Sequence, residues 1–215
     1  MPVQTNDQNF ADPLARWKIW LAWVTVTVFA AGIGGVTPDL LVLGLAPNAF
    51  KGDNAVGPLL IWGGGVVVVL GIGLGCGQAW VLAQYLGCKH GGRWVGASFA
   101  GTTVSAVVIV IMGSWGFTTA SAIVPGLILG FTQWLVLRRS ARSAQWWIAG
   151  TSIAWWVSVL FVTRVYPSFA PASSVIFPFY PLDSAVYWAG GWIIGSLIFA
   201  IITGLVLVYV AKPRA

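Results

Sequence analysis

Few side chains in this sequence could support acid–base or metal chemistry. There is one histidine, His90, and the two cysteines, Cys76 and Cys88, do not form a CxxC pair. Ser114, in the stretch GSWG, invites comparison with an intramembrane serine protease, whose serine needs a base within hydrogen-bond reach. If the long apolar runs cross a bilayer, about 30 Å of hydrocarbon separates Ser114 from His90. The sequence therefore argues against a serine protease, a histidine-based metal site and an enzyme in general.

Two glutamines inside apolar runs form the candidate polar site. Gln78 and Gln133 hold matching positions in GCGQAWVL and GFTQWLVL. A glutamine at that depth predicts a hydrogen bond between helices, and a ligand contact is the alternative. Trp155 and Trp156 form a second candidate, roughly 13 Å into the fifth apolar run at 1.5 Å per residue. Ordinary packing is one interpretation of this pair, and a stacking wall for a lipid, quinone or pigment is the other.

The composition identifies the solvent that these residues must face. Of the 215 residues, 58% are hydrophobic and 7% are charged, whereas a soluble domain carries roughly 25% charged residues. We therefore predict an all-α integral membrane protein, with one membrane domain over 1–215 and a polar, uncleaved segment at 1–15. Six runs approach the length of about 20 apolar residues that spans a bilayer; they are 17–36, 59–82, 94–113, 119–137, 146–163 and 185–210.

The basic residues predict the orientation of the six runs. Nine of the 11 fall on one side: Arg16, Lys18, Lys89, Arg93, Arg138, Arg139, Arg142, Lys212 and Arg214. Cytoplasmic links are enriched in Lys and Arg, so both termini should be cytoplasmic, in a bacterial inner or photosynthetic internal membrane. The basic residues are scattered through short links, which argues against nucleic-acid binding. We also predict a belt of tryptophans near the cytoplasmic ends: Trp17, Trp94, Trp134, Trp146 and Trp147.

The two glutamines belong to an internal repeat. Aligning Gln78 with Gln133 also matches Gly75 with Gly130, and a slightly shorter link then matches Trp94 with Trp147. Arg16–Trp17 resembles Arg93–Trp94. We predict one helical hairpin used three times in the same orientation, over 16–86, 93–139 and 146–212, with the glutamine lost from the third copy.

Small residues and two links supply the candidate contact surfaces. Glycines four residues apart allow helices to approach closely, and the pairs are Gly71/Gly75, Gly73/Gly77, Gly126/Gly130 and Gly191/Gly195. They favour intramolecular packing, dimerisation or docking against a larger complex. The partly apolar links 37–58 and 164–184 should not be continuous helices because of their prolines. In the second link we predict a surface that binds a partner or caps a ligand, formed by Tyr166, Phe169, Phe177, Phe179 and Tyr180.

The stretch Gly130–Arg139, followed by Trp147, resembles small multi-helix bacterial membrane proteins of unassigned function, including some from photosynthetic lineages. The resemblance implies a helical-hairpin repeat and no activity. We expect a non-catalytic accessory protein that packs against other integral membrane proteins or copies of itself and binds lipid-like molecules. Candidate ligands are a lipid, a quinone, a carotenoid or a chlorophyll. The rival is a small-solute binding or transport protein with a polar cavity lined by Gln78, Gln133, Thr102, Thr103 and Ser105.

Overall fold

The computed structural model describes residues 13–45, 68–86, 91–114, 122–141, 143–165 and 182–210. Within these ranges the chain is helical, and it forms α1 (Pro13–Leu45), α2 (Gly75–Leu86), α3 (Gly91–Ser114), α4 (Ile123–Leu137), α5 (Gln145–Leu160) and α6 (Leu182–Val210). π-helical segments lead into α2 at Val69–Leu74 and follow α5 at Phe161–Val165. The all-helical prediction is confirmed for the described part of the chain.

The helices pack in a closed ring that follows the order of the sequence. Each helix contacts the next one along the chain, and α6 closes the ring against α1. One apolar cluster gathers the early residues of α1, α3 and α5 with the late residues of α2, α4 and α6, because neighbouring helices run antiparallel. A second, smaller cluster of Leu129, Ala154 and Phe199 lies on α4, α5 and α6, further from that end of the bundle.

Five cationic residues share the end of the bundle that contains the larger cluster. Arg16 and Lys18 begin α1, Arg93 begins α3, and Arg138 and Arg139 follow α4. We call this the cationic end. Arg164, which follows α5, lies at the opposite end.

Of the six predicted spans, three helical stretches within the described residues are long and apolar enough to cross a membrane, by length and composition. They are Leu14–Gly34, Gln145–Val165 and Gly190–Val210, and Ile123–Leu137 is a shorter apolar helix. This agrees with a membrane protein.

The first helix extends beyond its predicted end. We predicted that the apolar run stops at residue 36 and that a link follows, whereas α1 continues through Pro38 to Leu45. Proline is tolerated in membrane helices when neighbouring groups satisfy the freed backbone carbonyl. Pro125, by contrast, lies in the first turn of α4, where its missing N–H breaks no helical hydrogen bond.

The glycines of two helices fix how closely their neighbours approach. A Cβ on Gly71 would lie 3.0 Å from the Cα of Phe99, and a Cβ on Gly75 would lie 3.1 Å from the Cα of Val95. Both contacts are with the backbone of α3. A side chain at either position would require α3 to shift by a few tenths of an ångström, so the π-helical segment and α2 pack closely against the backbone of α3.

The next helix pair repeats this arrangement. A Cβ on Gly126 would lie 2.8 Å from the Cα of Ser152, and a Cβ on Gly130 would lie 3.0 Å from the Cα of Ile148. These glycines therefore serve the α4–α5 contact inside the chain, and neither pair lies on an outward face.

Candidate functional site

Three tryptophans meet inside the helix ring, near the cationic end. Trp23, Trp94 and Trp147 come from α1, α3 and α5 and are 0–1% exposed. Their ring centroids lie 5.5–6.3 Å apart with interplanar angles of 65–89°. These edge-to-face contacts suit the charge distribution of aromatic rings. We call these residues the tryptophan triad.

The placement of the triad corrects two predictions. We predicted that Trp94 and Trp147 form an interfacial belt, but both are buried. We also aligned Trp17 with Trp94, whereas Trp23 occupies the matching place in the triad. Trp17 is 56% exposed and stacks edge-to-face on Trp20, with centroids 5.1 Å apart. We had aligned Trp17 with Trp94 because each follows an arginine. An arginine marks the start of the helix, but it does not show which face of the helix is buried.

Gln78 joins the first three helices. Its side chain is 1% exposed. The Nε2 atom donates a hydrogen bond to Thr27 Oγ1 at 3.3 Å, and Oε1 accepts one from Trp94 Nε1 at 3.3 Å. Gln78 therefore bridges α1 and α3: its amide nitrogen bonds to α1 and its amide oxygen bonds to α3.

Gln133 repeats these contacts one hairpin later. It is also 1% exposed. Nε2 donates to Ser98 Oγ at 2.9 Å, and Oε1 accepts from Trp147 Nε1 at 3.0 Å. A longer bond of 3.4 Å from Gln133 Nε2 to Gln78 Oε1 connects the two glutamines. A continuous set of hydrogen bonds thus links α1 to α5.

The ring closes differently at α6. Trp23 Nε1 donates to Thr203 Oγ1 at 3.0 Å, so a threonine takes the acceptor place that a glutamine has elsewhere. The Thr203 hydroxyl donates to Phe199 O, at 2.8 Å, in its own helix. Thr151 on α5 is four residues after Trp147, as Thr27 is after Trp23 and Ser98 is after Trp94. We call the triad, the two glutamines and four hydroxyl residues the Trp–Gln cluster; the hydroxyl residues are Thr27, Ser98, Thr151 and Thr203.

Thr151 holds the position on α5 that Thr27 and Ser98 hold on α1 and α3, but its hydroxyl is unpaired. Thr151 Oγ1 is buried and has no hydrogen-bond partner among the described residues. The only other buried side-chain polar atom of this kind in the described ranges is Trp155 Nε1, one helical turn further along α5. Thr27 and Ser98, at the two matching positions, accept bonds from glutamine amides.

Every side chain of the Trp–Gln cluster is neutral, so the cluster offers hydrogen-bond donors and acceptors and no proton-transfer group. What it does is connect helices. The glutamines were identified from the sequence, whereas Trp23, Thr27 and Thr203 were missed. The signal that could have found them is the pattern Trp-Val/Ile-x-x-Thr/Ser, which starts at Trp23, Trp94 and Trp147.

The other predicted site residues lie apart from the Trp–Gln cluster. Trp155 packs edge-to-face on Phe199 at 6.2 Å, and Trp156, 37% exposed, faces outward. Gly191 is buried on α6, and a Cβ on Gly195 would lie 2.9 Å from Val162 in the π-helical segment after α5. The five aromatic residues predicted as a partner surface, Tyr166, Phe169, Phe177, Phe179 and Tyr180, lie outside the described residues.

An open apolar groove of about 440 Å³ lies on the outside of the bundle, between α5 and α6. Its residues are small or apolar apart from one tyrosine: Trp146, Ala149, Gly150, Ile153, Leu205, Val206 and Tyr209. We call it the α5–α6 groove. It begins at the cationic end, because Trp146 lies in the first turn of α5 and Tyr209 in the last turn of α6.

Among the described residues, no three His, Cys, Asp or Glu side chains come together as a metal site. Comparison with protein-family models, with curated proteins and with solved structures finds no match to this chain. The inference of function therefore rests on the geometry of the bundle.

Proposed function

We propose that the chain is a six-span membrane bundle made of three hairpins in the same orientation, with both termini cytoplasmic. Support comes from matching residues in the three copies. The even-numbered helices carry a small residue, a second one four residues later and a polar residue three further on: Gly71, Gly75 and Gln78; Gly126, Gly130 and Gln133; Ser196, Ala200 and Thr203. By the positive-inside rule, the cationic end faces the cytoplasm. The membrane that we propose is a bacterial inner or photosynthetic internal membrane.

We further propose that this bundle is a non-catalytic accessory subunit that packs against other membrane proteins and holds lipid-like molecules. The observation that carries this proposal is the filled interior at the Trp–Gln cluster. Gln78 and Gln133 are 1% exposed, and each binds residues of two neighbouring helices. These polar groups hold the bundle together, which suits a rigid scaffold whose working surface is its outside.

The same contacts weigh against a solute pathway along the predicted polar residues. Thr102 donates to Ser98 O at 2.7 Å, Thr103 donates to Phe99 O at 2.8 Å, and Ser105 donates to Pro125 O at 3.0 Å. Each hydroxyl proton is used within the protein. A transported solute could still donate to these hydroxyl oxygens, but it would find their protons in use and would have to replace the bonds of the glutamines.

The proposal is tested by purifying the tagged protein from its source membrane in a mild detergent, followed by mass spectrometry and an absorption spectrum. We expect a stoichiometric integral membrane partner, and a visible absorption band if the bound molecule is a carotenoid or a chlorophyll. A matched pair of variants makes the test specific. Gln133→Leu should loosen the bundle and reduce recovery of the partner, whereas Gln84→Leu, at an exposed position on α2, should leave it unchanged.

A lone, colourless protein that carries only bulk lipid would contradict the accessory role. Equal recovery of the partner with Gln133→Leu and with the wild type would show that partner binding does not depend on the intact bundle. Uptake of a small solute into vesicles that contain only the purified protein would favour the transport alternative.

A further inference from the structure

We propose that the α5–α6 groove binds one acyl chain of an anionic phospholipid from the surrounding bilayer, with the headgroup held at the cationic end. This inference deepens the lipid-binding part of the proposed function and rests on the membrane location proposed there. Its ligand class is set by two independent features, the shape of the groove and the charge beside it.

The groove has the shape and surface that an alkyl chain requires. Its floor is formed by Ala149 and Gly150, and a Cβ on Gly150 would lie 2.5 Å from Val206, so α5 and α6 are in close contact beneath it. Ile153 and Leu205 are 50% and 56% exposed along its sides. From Trp146 to Ile153 it runs about 10 Å along α5, at 1.5 Å per residue. Its volume falls within the ~300–1,000 Å³ typical of small-molecule sites.

Cationic side chains lie at the same end of the bundle as the start of the groove. The link after α4 carries the exposed Arg138 and Arg139, and it contacts the end of α6 through a bond of 3.4 Å from Ser143 Oγ to Val210 O. On the other side of α6, the start of α1 carries Arg16 and Lys18. Trp20 on α1 donates to Ile201 O at 3.4 Å, which holds the two helices together.

No acidic residue of the described ranges lies at the cationic end. The two acidic residues within the described ranges, Asp39 and Asp183, lie near the end of α1 and at the start of α6, both away from the cationic end. An anionic headgroup at the cationic end therefore meets several basic groups and no described carboxylate. Each Lys or Arg near an anionic membrane surface contributes about 1 kcal/mol of attraction, which corresponds to a factor of about five in binding. A zwitterionic headgroup gains little from the same position.

The test is native mass spectrometry of the full-length protein, purified in detergent and supplied with equal amounts of phosphatidylglycerol and phosphatidylcholine. We expect one retained phosphatidylglycerol per chain and a preference of at least about fivefold over phosphatidylcholine. Equal retention of the two lipids by the wild type would overturn the proposal without any variant.

Two pairs of variants locate the site. Ala149→Phe fills the groove and should abolish the retained lipid, whereas Ala100→Phe, at an exposed position on α3, should not. Arg138→Gln together with Arg139→Gln should lower the preference, and adding Arg16→Gln and Lys18→Gln should bring it close to one, whereas Arg164→Gln at the other end should preserve it. Retention that survives Ala149→Phe would refute the groove as the site.

The outcome is separate from that of the accessory role. Lipid retention is measured on the isolated protein, whereas the accessory role is judged by the partner recovered from the membrane. A preference for phosphatidylglycerol that depends on the groove, with no partner recovered, would support this inference and contradict the accessory role. A partner recovered with no lipid preference would do the reverse.

Discussion

Gln133→Leu is the substitution whose effect follows most directly from the structure. Leucine keeps much of the shape of glutamine but removes the acceptor for Trp147 Nε1, at 3.0 Å, and the donor to Ser98 Oγ, at 2.9 Å. The bond of 3.4 Å to Gln78 is also lost. Ser98 can recover by donating to the carbonyl four residues earlier in its helix. Trp147 cannot, because its ring is 1% exposed and its N–H has no alternative among these contacts.

The expected loss of stability combines these terms. Hydrogen bonds within membrane proteins contribute about 0.6 kcal/mol on average and up to about 1.7 kcal/mol. An unpaired buried donor costs about 1–3 kcal/mol. We therefore expect Gln133→Leu to lower the free energy of unfolding by about 2–3 kcal/mol. Gln78→Leu also leaves the buried Trp94 N–H without its acceptor, so we expect a similar loss, toward the lower end at about 2 kcal/mol because its bonds to Thr27 and Trp94 are both 3.3 Å long.

The assay is reversible unfolding by sodium dodecyl sulfate in mixed micelles, followed by circular dichroism. Gln84→Leu is the matched control, since it makes the same change at an exposed position on α2. A double-mutant cycle of Gln133→Leu with Trp147→Phe should give a coupling energy of about 0.6–1.7 kcal/mol. The reasoning is refuted if Gln133→Leu and Gln84→Leu are equally stable, or if the cycle shows no coupling.

Three further substitutions test other parts of the structure. Thr203→Gln should donate to the unpaired Thr151 hydroxyl and raise the free energy of unfolding by about 0.6–1.7 kcal/mol, whereas Thr203→Met, of similar length, should lower it in the same unfolding assay. Gly130→Ala should cost about 1–3 kcal/mol because its Cβ meets the backbone of α5; Gly73→Ala, with nothing within 4 Å of its Cβ, should change the same measurement by less than about 1 kcal/mol. Ser140→Cys, in a chain without its native cysteines, should react with an impermeant maleimide only from the cytoplasmic side of oriented vesicles, and labelling from outside would contradict the proposed topology.

Helix content could be predicted from the sequence because long apolar runs leave few other options in lipid. The hydrogen bonds of Gln78 and Gln133 between helices were predictable from their place inside apolar runs and the internal match around them. Which face of each helix points inward was not, and this explains the errors with Trp94 and Trp147. The chain has 14 tryptophans, and an indole suits both an interface and a buried site with an acceptor nearby.

The last of the three proposed copies was harder to predict because its acceptor residue differs while the contact that it makes is similar. Thr203 accepts from Trp23 as Gln78 accepts from Trp94, although the side chains differ in length and chemistry. A search for glutamine could not find that position. The small residue at position 200, three before Thr203, matches the place of Gly75 and Gly130 and was the remaining signal.

The Trp–Gln cluster also explains why an otherwise uniform set of apolar helices adopts one arrangement. In lipid, apolar burial does not distinguish one helix pairing from another, since lipid tails are as apolar as leucine. Glycine contacts set the distance between α2 and α3 and between α4 and α5, but they tolerate sliding along the helix. A glutamine amide that must reach Thr27 and Trp94 together fixes both the register and the partner. Neutral amides and indoles achieve this without a charge in the bilayer, which would cost more. The specificity of the fold therefore lies inside the ring, and the outer surface is left free for the lipid and partner binding that we propose.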